Sequence, residues 1–277
     1  MIPYAEVIGD PVAHSRSPAI HLHWLNALGL TGDYRAVRTG PDMLDAYLGQ
    51  RRDDPLWRGC SVTAPLKQAI IPFLDQLSVE AEAIGAVNCV MPAADGLIGL
   101  NTDVDGVAEA LAPVGRPFRN AAIIGGGGAA RAAAWQLASQ GCRNVHLLLR
   151  NPEAARGFPG LGPASTVSAH DLKAPEAALA SADLLINASP LGMVDQPEQP
   201  ASLLRAVFAQ QRQMTVFDIV YTPAETALLR TARAVGHPAI GGLAMLVGQA
   251  RHAFWLFFGN AVPRTENGDL CRALREP

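Results

Sequence analysis

Lys67 stands in the string Ser61-Val62-Thr63-Ala64-Pro65-Leu66-Lys67 and Asp103 in Asn101-Thr102-Asp103, each string following a predicted strand, over 59–63 and 96–100. Ligands of open α/β sheets sit outside the carboxyl ends of the strands, where Thr63, Lys67 and Asp103 would lie. A single lysine or aspartate is most often a solvated charge. Together at strand ends the two can form an ion pair, able to give a substrate a proton and take it back. A second candidate lies in the loop 9–16, where Ser15 and Ser17 precede a predicted helix. Two hydroxyls and the orphan N–H groups of the helix end can converge there on a small anion, such as a carboxylate. The same residues also fit a purely local role, Ser17 as the N-cap with Pro18 at N1 and Ser15 closing the turn.

A third signal is Gly125-x-Gly127-x-x-Ala130, set between a predicted strand over 121–124 and a helix over 131–140, with a second strand over 145–149. This is a βαβ unit of roughly 30 residues with the dinucleotide-binding fingerprint, whose last position can be alanine. The glycines let the backbone approach a pyrophosphate, whose charge meets free N–H groups and the helix dipole. The second strand ends Leu149-Arg150-Asn151-Pro152 without the acidic residue that would bond a ribose 2′-hydroxyl. Arg150 can instead pair with a 2′-phosphate, which points to NADP, with NAD possible if Arg150 is merely an exposed arginine. Met245 and Gln249 are four apart and share a helix face, which suits a ligand-facing stripe or ordinary packing. His21 and His23 are two apart on a helix and so face different ways, and the four cysteines form no CxxC pair. No metal site is expected.

These residues require an α/β fold of two domains. With 277 residues, the length favours two domains over one. Short apolar runs alternate with Ala-rich helical stretches, as in βα units on a mainly parallel sheet. Strands are expected over 4–8, 59–63, 87–91 and 96–100, with helices over 17–28 and 67–77. The domain change is placed near residue 104, with a Pro, Gly and Arg-rich stretch over 113–120 as a linker zone. Strands over 184–187 and 216–220 extend the second sheet, and Gly241-Gly242, a possible hinge, precedes a helix over 243–258. Composition narrows the function classes: 49% hydrophobic and 17% charged residues exclude a disordered chain, and a net charge of −3 makes nucleic acid an unlikely partner. No apolar run reaches the roughly 18 residues that span a bilayer, the run 253–258 reading as a buried helix end. The first residues lack a basic signal region, so a cytoplasmic protein with reduced, packed thiols is expected.

His14-Ser15-Arg16-Ser17-Pro18, Val62 to Lys67, Gly85-Ala86-Val87-Asn88, Asn101-Thr102-Asp103, Gly125 to Arg131, Asn187 to Met193, Asp218-Ile219-Val220-Tyr221 and Met245 to Ala250 follow one another along the chain. In type and order they resemble the signature motifs of the shikimate dehydrogenase family, which includes quinate dehydrogenases, over about residues 4 to 259. The resemblance implies an N-terminal substrate-binding α/β domain, residues 1–104, joined by a C-terminal helix, 243–277, and a Rossmann-type doubly wound NADP-binding domain, 105–242, with the active site between them. By similarity Ser15 and Ser17 would bind the substrate carboxylate, and Thr63, Asn88, Tyr221 and Gln249 its hydroxyls or ring. Lys67 and Asp103 would be the catalytic pair. Gly125, Gly127, Gly128, Ala129, Ala130, Arg150, Asn187, Ser189, Ile219, Gly242 and Met245 would contact the cofactor. The chain departs from the pattern at Ala154, where NADP-using relatives usually carry a second basic residue, with Arg156 two further on, and at Thr222 and Leu100. The expected activity is interconversion of 3-dehydroshikimate and shikimate with NADP(H), by a monomer or homodimer. The alternatives are a quinate/shikimate dehydrogenase using NAD or both cofactors, or a non-catalytic nucleotide sensor, against which the retained Lys67 and Asp103 speak.

Overall fold

The computed structural model describes residues 2–262 together with Leu270 and Leu274. Its contacts divide the chain into two units, Met1–Asp105 with Val247–Pro277, and Gly106–Leu246.

The first unit carries a six-stranded mixed sheet in the order β2-β1-β3-β5-β6-β4. Strand β1 (Tyr4–Gly9) is followed by α1 (Ser17–Ala27), β2 (Asp33–Arg38), α2 (Leu44–Arg52), β3 (Trp57–Val62), the single turn α3 (Leu66–Ala69) and the two-residue β4 (Gln76–Leu77). Helix α4 (Val79–Ile84), the hairpin β5 (Cys89–Ala93) and β6 (Gly96–Leu100), and α5 (Asp103–Leu111) complete the run. β1 and β3 are parallel, and β5 runs antiparallel to both β3 and β6. The ends of β1, β3 and β6 and the start of β5 therefore lie along one edge of the sheet. That edge is where Gly9, Thr63, Asn88 and Asn101 leave the strands.

The core below is apolar, with Ile8, Trp57, Leu66 and Ile70 fully buried. Within it lies a buried acidic side chain: Glu6 on β1 accepts from Tyr47 Oη at 2.7 Å and Arg51 Nε at 2.9 Å. Such pairing meets the desolvation cost of a buried carboxylate and fastens α2 to the sheet. The expected helix over 67–77 is not formed. Pro72 offers no N–H and its ring would collide with the carbonyl four residues earlier, so α3 stops at Ala69 and a 3-10 turn, Ile71–Phe73, leads into β4.

The second unit is a six-stranded, fully parallel sheet in the order β12-β11-β10-β7-β8-β9. Its elements are β7 (Asn120–Ile124), α6 (Gly128–Ser139), β8 (Asn144–Leu149), β9 (Thr166–Asp171), the single turn α7 (Glu176–Leu179), β10 (Leu184–Asn187), α8 (Ala201–Phe208), β11 (Thr215–Asp218), α9 (Ala227–Ala234) and β12 (Ala239–Gly241). Counted within the unit this is the doubly wound order 3-2-1-4-5-6, with its switch point between β7 and β10. Strands covered on both faces read as continuous apolar runs, and Ala121 to Ile124 are all buried. Ala130, Ala133 and Ala134 let α6 sit close against the sheet, packed with Ile123 and Phe217. Phe118 belongs to the same core, so the stretch 113–120 is part of this unit and not a linker.

Helix α10 (Leu243–Phe258) ends at Gly259, whose positive φ of 70° closes the last turn. The helix expected over 243–277 therefore stops at Phe258; residues 263–269, 271–273 and 275–277, with Cys271, lie outside the described residues. Within 253–258, Ala253, Phe254 and Phe257 are buried, whereas Trp255 is 52% exposed. That is one helix face, not a wholly buried end. Cys60, Cys89 and Cys142 are free and buried. Among the described residues no helix is long and apolar enough to cross a membrane.

Candidate active site and dinucleotide site

At the polar edge of the first sheet, the strand ends are tied to each other before any ligand is considered. Thr63 N–H donates to Ile8 O at 2.9 Å and Asp10 N–H to Ala64 O at 3.2 Å, joining the loops after β1 and β3. Gly9 is required here, since a Cβ would collide with Thr63 Cγ2. Lys67, on α3, accepts at its carbonyl from Val87 N–H at 2.7 Å, which fixes α3 to the segment before β5.

Lys67 Nζ donates to Asp103 Oδ2 at 2.5 Å, with side-chain exposures of 19% and 6%. The lysine is thus the wetter partner and the carboxylate the anchored one. Asp103 Oδ1 accepts from Asn88 Nδ2 at 2.9 Å, and the same amide donates to Thr102 Oγ1 at 3.0 Å. Asn88 Oδ1 accepts from Thr102 N–H at 2.6 Å. Asn101 bonds Ala86 O through Nδ2 at 2.8 Å and receives Asp103 N–H on Oδ1 at 3.1 Å. Asn88 and Asp103, both predicted site residues, therefore form one network with Lys67. Asn101 and Thr102 are the residues that reasoning from sequence left without a role. Their signal was present in the polar triplet, since three buried polar residues at a strand end must find partners.

Ser15 and Ser17 are joined by a hydrogen bond from Ser17 N–H to Ser15 Oγ at 3.3 Å. Ser17 is buried and is the first helical residue, with Arg16 in the cap position and no side-chain cap bond on Arg16. The expected N-cap role of Ser17 is thus corrected: Pro18 is one place deeper in the helix, and Ser15 supplies the oxygen for an early N–H. Gln249 lies on the part of α10 that belongs to the first unit, and Tyr221 follows β11 in the second.

In the second unit the loops after β7 and β10 meet at the switch point. Gly125 has φ of 106°, and a Cβ there would lie 3.0 Å from Ala188 O. Both facts demand glycine. Gly127 has open space where a Cβ would be, and as N-cap of α6 it leaves the first helical N–H groups without a side-chain acceptor. Gly128 and Ala129 sit on that first turn, and Ala130 is buried beneath it. An exposed backbone cradle with unsatisfied donors fits a pyrophosphate.

Asn187 at the end of β10 donates from Nδ2 to Asp218 Oδ1 at 2.8 Å and to Leu191 O at 3.0 Å, and its Oδ1 accepts from Ser189 Oγ at 2.7 Å. Asp218 also accepts from Thr226 Oγ1 at 2.7 Å and Val220 N–H at 3.1 Å; burial pushes its carboxyl above the usual range. Sequence reasoning assigned no role to Asp218. It knots the segments after β10 and β11, which carry Ser189, Ile219 and Tyr221. Gly242 is closely packed, a Cβ there running into Ile219 O, and Met245 is 4% exposed within the apolar core. Arg150 is exposed at the end of β8, while Arg156 pairs with Glu153 at 2.5 Å. His21 is wholly buried, its ring stacked on Tyr34 with centroids 3.9 Å apart. No group of three His, Cys, Asp or Glu among the described residues is placed to hold a metal ion.

Fold and sites together define an α/β chain with a dinucleotide-type sheet in one unit and, in the other, a sheet bearing a half-buried lysine paired with a buried aspartate. Comparison with known proteins gives the family. The profile described as "Shikimate dehydrogenase substrate binding domain" matches residues 7–90. The shikimate dehydrogenase (NADP(+)) of Sphingopyxis alaskensis is 44% identical over 273 residues, 98% of this chain and 96% of that one. Shikimate 5-dehydrogenase from Thermus thermophilus, solved in complex with NADP(H) and shikimate, is 36% identical with a TM-score of 0.82, covering 99% of this chain and 100% of that one. The Listeria monocytogenes enzyme, solved with shikimate and NAD, is 26% identical with a TM-score of 0.81 over 98% and 96% of the two chains. The chain belongs to the shikimate dehydrogenase family.

Proposed function

We propose that this chain is an NADP-dependent shikimate dehydrogenase, interconverting 3-dehydroshikimate and shikimate in the formation of chorismate and the aromatic amino acids. The observation that carries the reading is the Lys67–Asp103 pair, anchored by Asn88 at the polar edge of the first sheet. When bound, the nicotinamide exchanges a hydride with the substrate carbon. The chain's own residues manage the oxygen. Lys67 Nζ has three protons and Asp103 engages one, leaving two directed elsewhere. Reduction places charge on the carbonyl oxygen, and an ammonium beside it stabilises that charge and delivers the proton. In oxidation the same nitrogen acts as the neutral amine, whose lone pair receives the proton from the alcohol and restores the ammonium. Asp103 orients the ammonium and offers its remaining lone pairs to a substrate hydroxyl.

Ser15 and Ser17 hold the substrate carboxylate; Ser15 Oγ, already accepting from Ser17 N–H, keeps its own proton to donate. Thr63 and Gln249 serve the ring and its hydroxyls from the first unit. Asn88 acts by fixing Asp103, because its amide protons are directed to Thr102 and Asp103. On the cofactor side, Gly125, Gly127, Gly128 and Ala129 cradle the pyrophosphate over buried Ala130, and Arg150 pairs with the 2′-phosphate. Ser189, Ile219 and Gly242 line the approach, with Asn187 and Met245 shaping it from beneath. One observation supports a second reading of the cofactor, use of NAD: Ala154 stands where a second basic residue would meet the 2′-phosphate, which leaves Arg150 the arginine at the strand end.

Initial rates with shikimate or quinate and with NADP or NAD test both readings. The expected order places shikimate with NADP highest in kcat/KM. Cofactor binding without turnover in all four combinations overturns the proposal in favour of a nucleotide sensor.

A further inference from the structure

On one face of the second sheet, away from the residues discussed above, two histidines and a serine converge. His146 on β8 lies directly across from Ser168 on β9 in the strand register, and His170 is two residues beyond Ser168. All three side chains therefore project from the same face. His146 Nδ1 is 2.8 Å from Ser168 Oγ and 3.2 Å from His170 Nε2, and Ser168 Oγ is 3.0 Å from His170 Nε2. The connection from β9 to β10 has only the single turn α7, so this end of the face is not roofed by a full crossover helix. Ser168 is exposed and both histidines are half-buried, which leaves an entry path.

Protons alone serve only two of the three contacts. A neutral imidazole nitrogen is either a donor or an acceptor, so the nitrogen pair can share one proton and the hydroxyl brings one more. Three contacts then have two protons between them. A cation at the centre of the three lone pairs removes the conflict. The nitrogen pair, 3.2 Å apart, suits this, since two nitrogens at 2.0–2.1 Å from a tetrahedral ion are about 3.3 Å apart; the Ser168 hydroxyl, at 2.8 and 3.0 Å from them, has to turn outward slightly to join.

We propose that His146, Ser168 and His170 form a site for one divalent transition-metal ion of the imidazole-binding class, Zn2+ above all, with water completing the coordination. Imidazole nitrogen selects such ions over Mg2+ and Ca2+. The ion joins β9, the edge strand of the sheet, to β8, so it stabilises the unit by binding the folded state alone.

Titration calorimetry with zinc chloride on the full chain without a histidine tag tests the site. One Zn2+ is expected per chain, with a thermal midpoint that climbs as zinc is added. His146→Gln and His170→Gln are each expected to weaken zinc by more than about tenfold while leaving the dehydrogenase rate unchanged. A second readout needs no variant: zinc should shift or broaden the ring NMR signals of two of the seven histidines. Absence of zinc heat and thermal shift in the wild type, undiminished zinc binding in both variants, or ring shifts that map to other histidines would overturn the proposal.

Discussion

In the first unit the polar sheet edge is built from side chains that bond one another: Lys67 to Asp103, Asp103 to Asn88, Asn88 to Thr102. In the second unit the turn after β7 presents mostly backbone, with Gly125 forced by its φ and by Ala188 O, and Gly127 bare. The difference follows from the ligands each suits. A ring with hydroxyls and a carboxylate is distinguished from its analogues by fixed donors and acceptors, whose misplacement leaves buried polar groups unpaired. A pyrophosphate asks for N–H groups and close approach, which side chains would obstruct. Substitution in the first unit should therefore change turnover, and substitution in the second should change nucleotide affinity.

A large effect is expected at Asp103. Asp103→Asn removes the charge that orients Lys67 and leaves a half-buried ammonium without its partner, and kcat for shikimate oxidation should fall by about 10²-fold with the NADP dissociation constant nearly unchanged. Loss of nucleotide affinity instead would erase the contrast between the units. Gly125→Ala is the converse test. A methyl group at positive φ against Ala188 O should raise the KM for NADP by about tenfold, while KM for shikimate stays within about twofold. Arg150→Ala sharpens the picture within the second unit. Loss of a charge-assisted contact should weaken NADP by about 1–3 kcal/mol and NAD far less, and equal losses would show that Arg150 does not read the phosphate.

The smallest effect concerns stability rather than chemistry. Burial lowers His21 from the ordinary 6.5 to about 3, so between those values the unfolded chain takes up a proton that the folded chain refuses. Its contribution is neutral above about pH 7 and erodes stability as the pH falls, by about 1.4 kcal/mol per pH unit in that window. His21→Phe keeps a ring against Tyr34, and urea unfolding at pH 6 and pH 5 should show a pH slope shallower by about that amount. An unaltered slope would show that His21 does not titrate between the two states.

Where local rules and chain order act alone, the sequence was sufficient. The β7–α6–β8 unit could be read from its apolar run, glycine turn and alanine helix, because a parallel strand buried on both faces has no other composition. Lys67 and Asp103 could be paired because both follow strands. What sequence could not show were the tertiary decisions. Pro72 breaks the expected helix over 67–77, a local signal outweighed by the surrounding apolar residues in that reading. β2, with its mixed DYRAVR pattern, has a weak period of its own and is held by β1. Asn88 and Asn187 carry polarity that suits ligands, yet their amides hold Asp103 and Asp218, a choice visible only once partners are in place. Ser17 looked like a cap because Ser-Pro so often begins a helix, and the structure moves the capping oxygen to Ser15.

The central claim is that the Lys67 ammonium handles the proton of the reacting oxygen. Single-turnover reduction of 3-dehydroshikimate by the Lys67→Ala variant, with NADPH binding measured on the same preparation, tests it most directly. The expected result is a hydride-transfer rate lower by about 10²-fold or more at unchanged NADPH affinity. A rate within a few-fold of the wild type would contradict the account and assign the proton to another group.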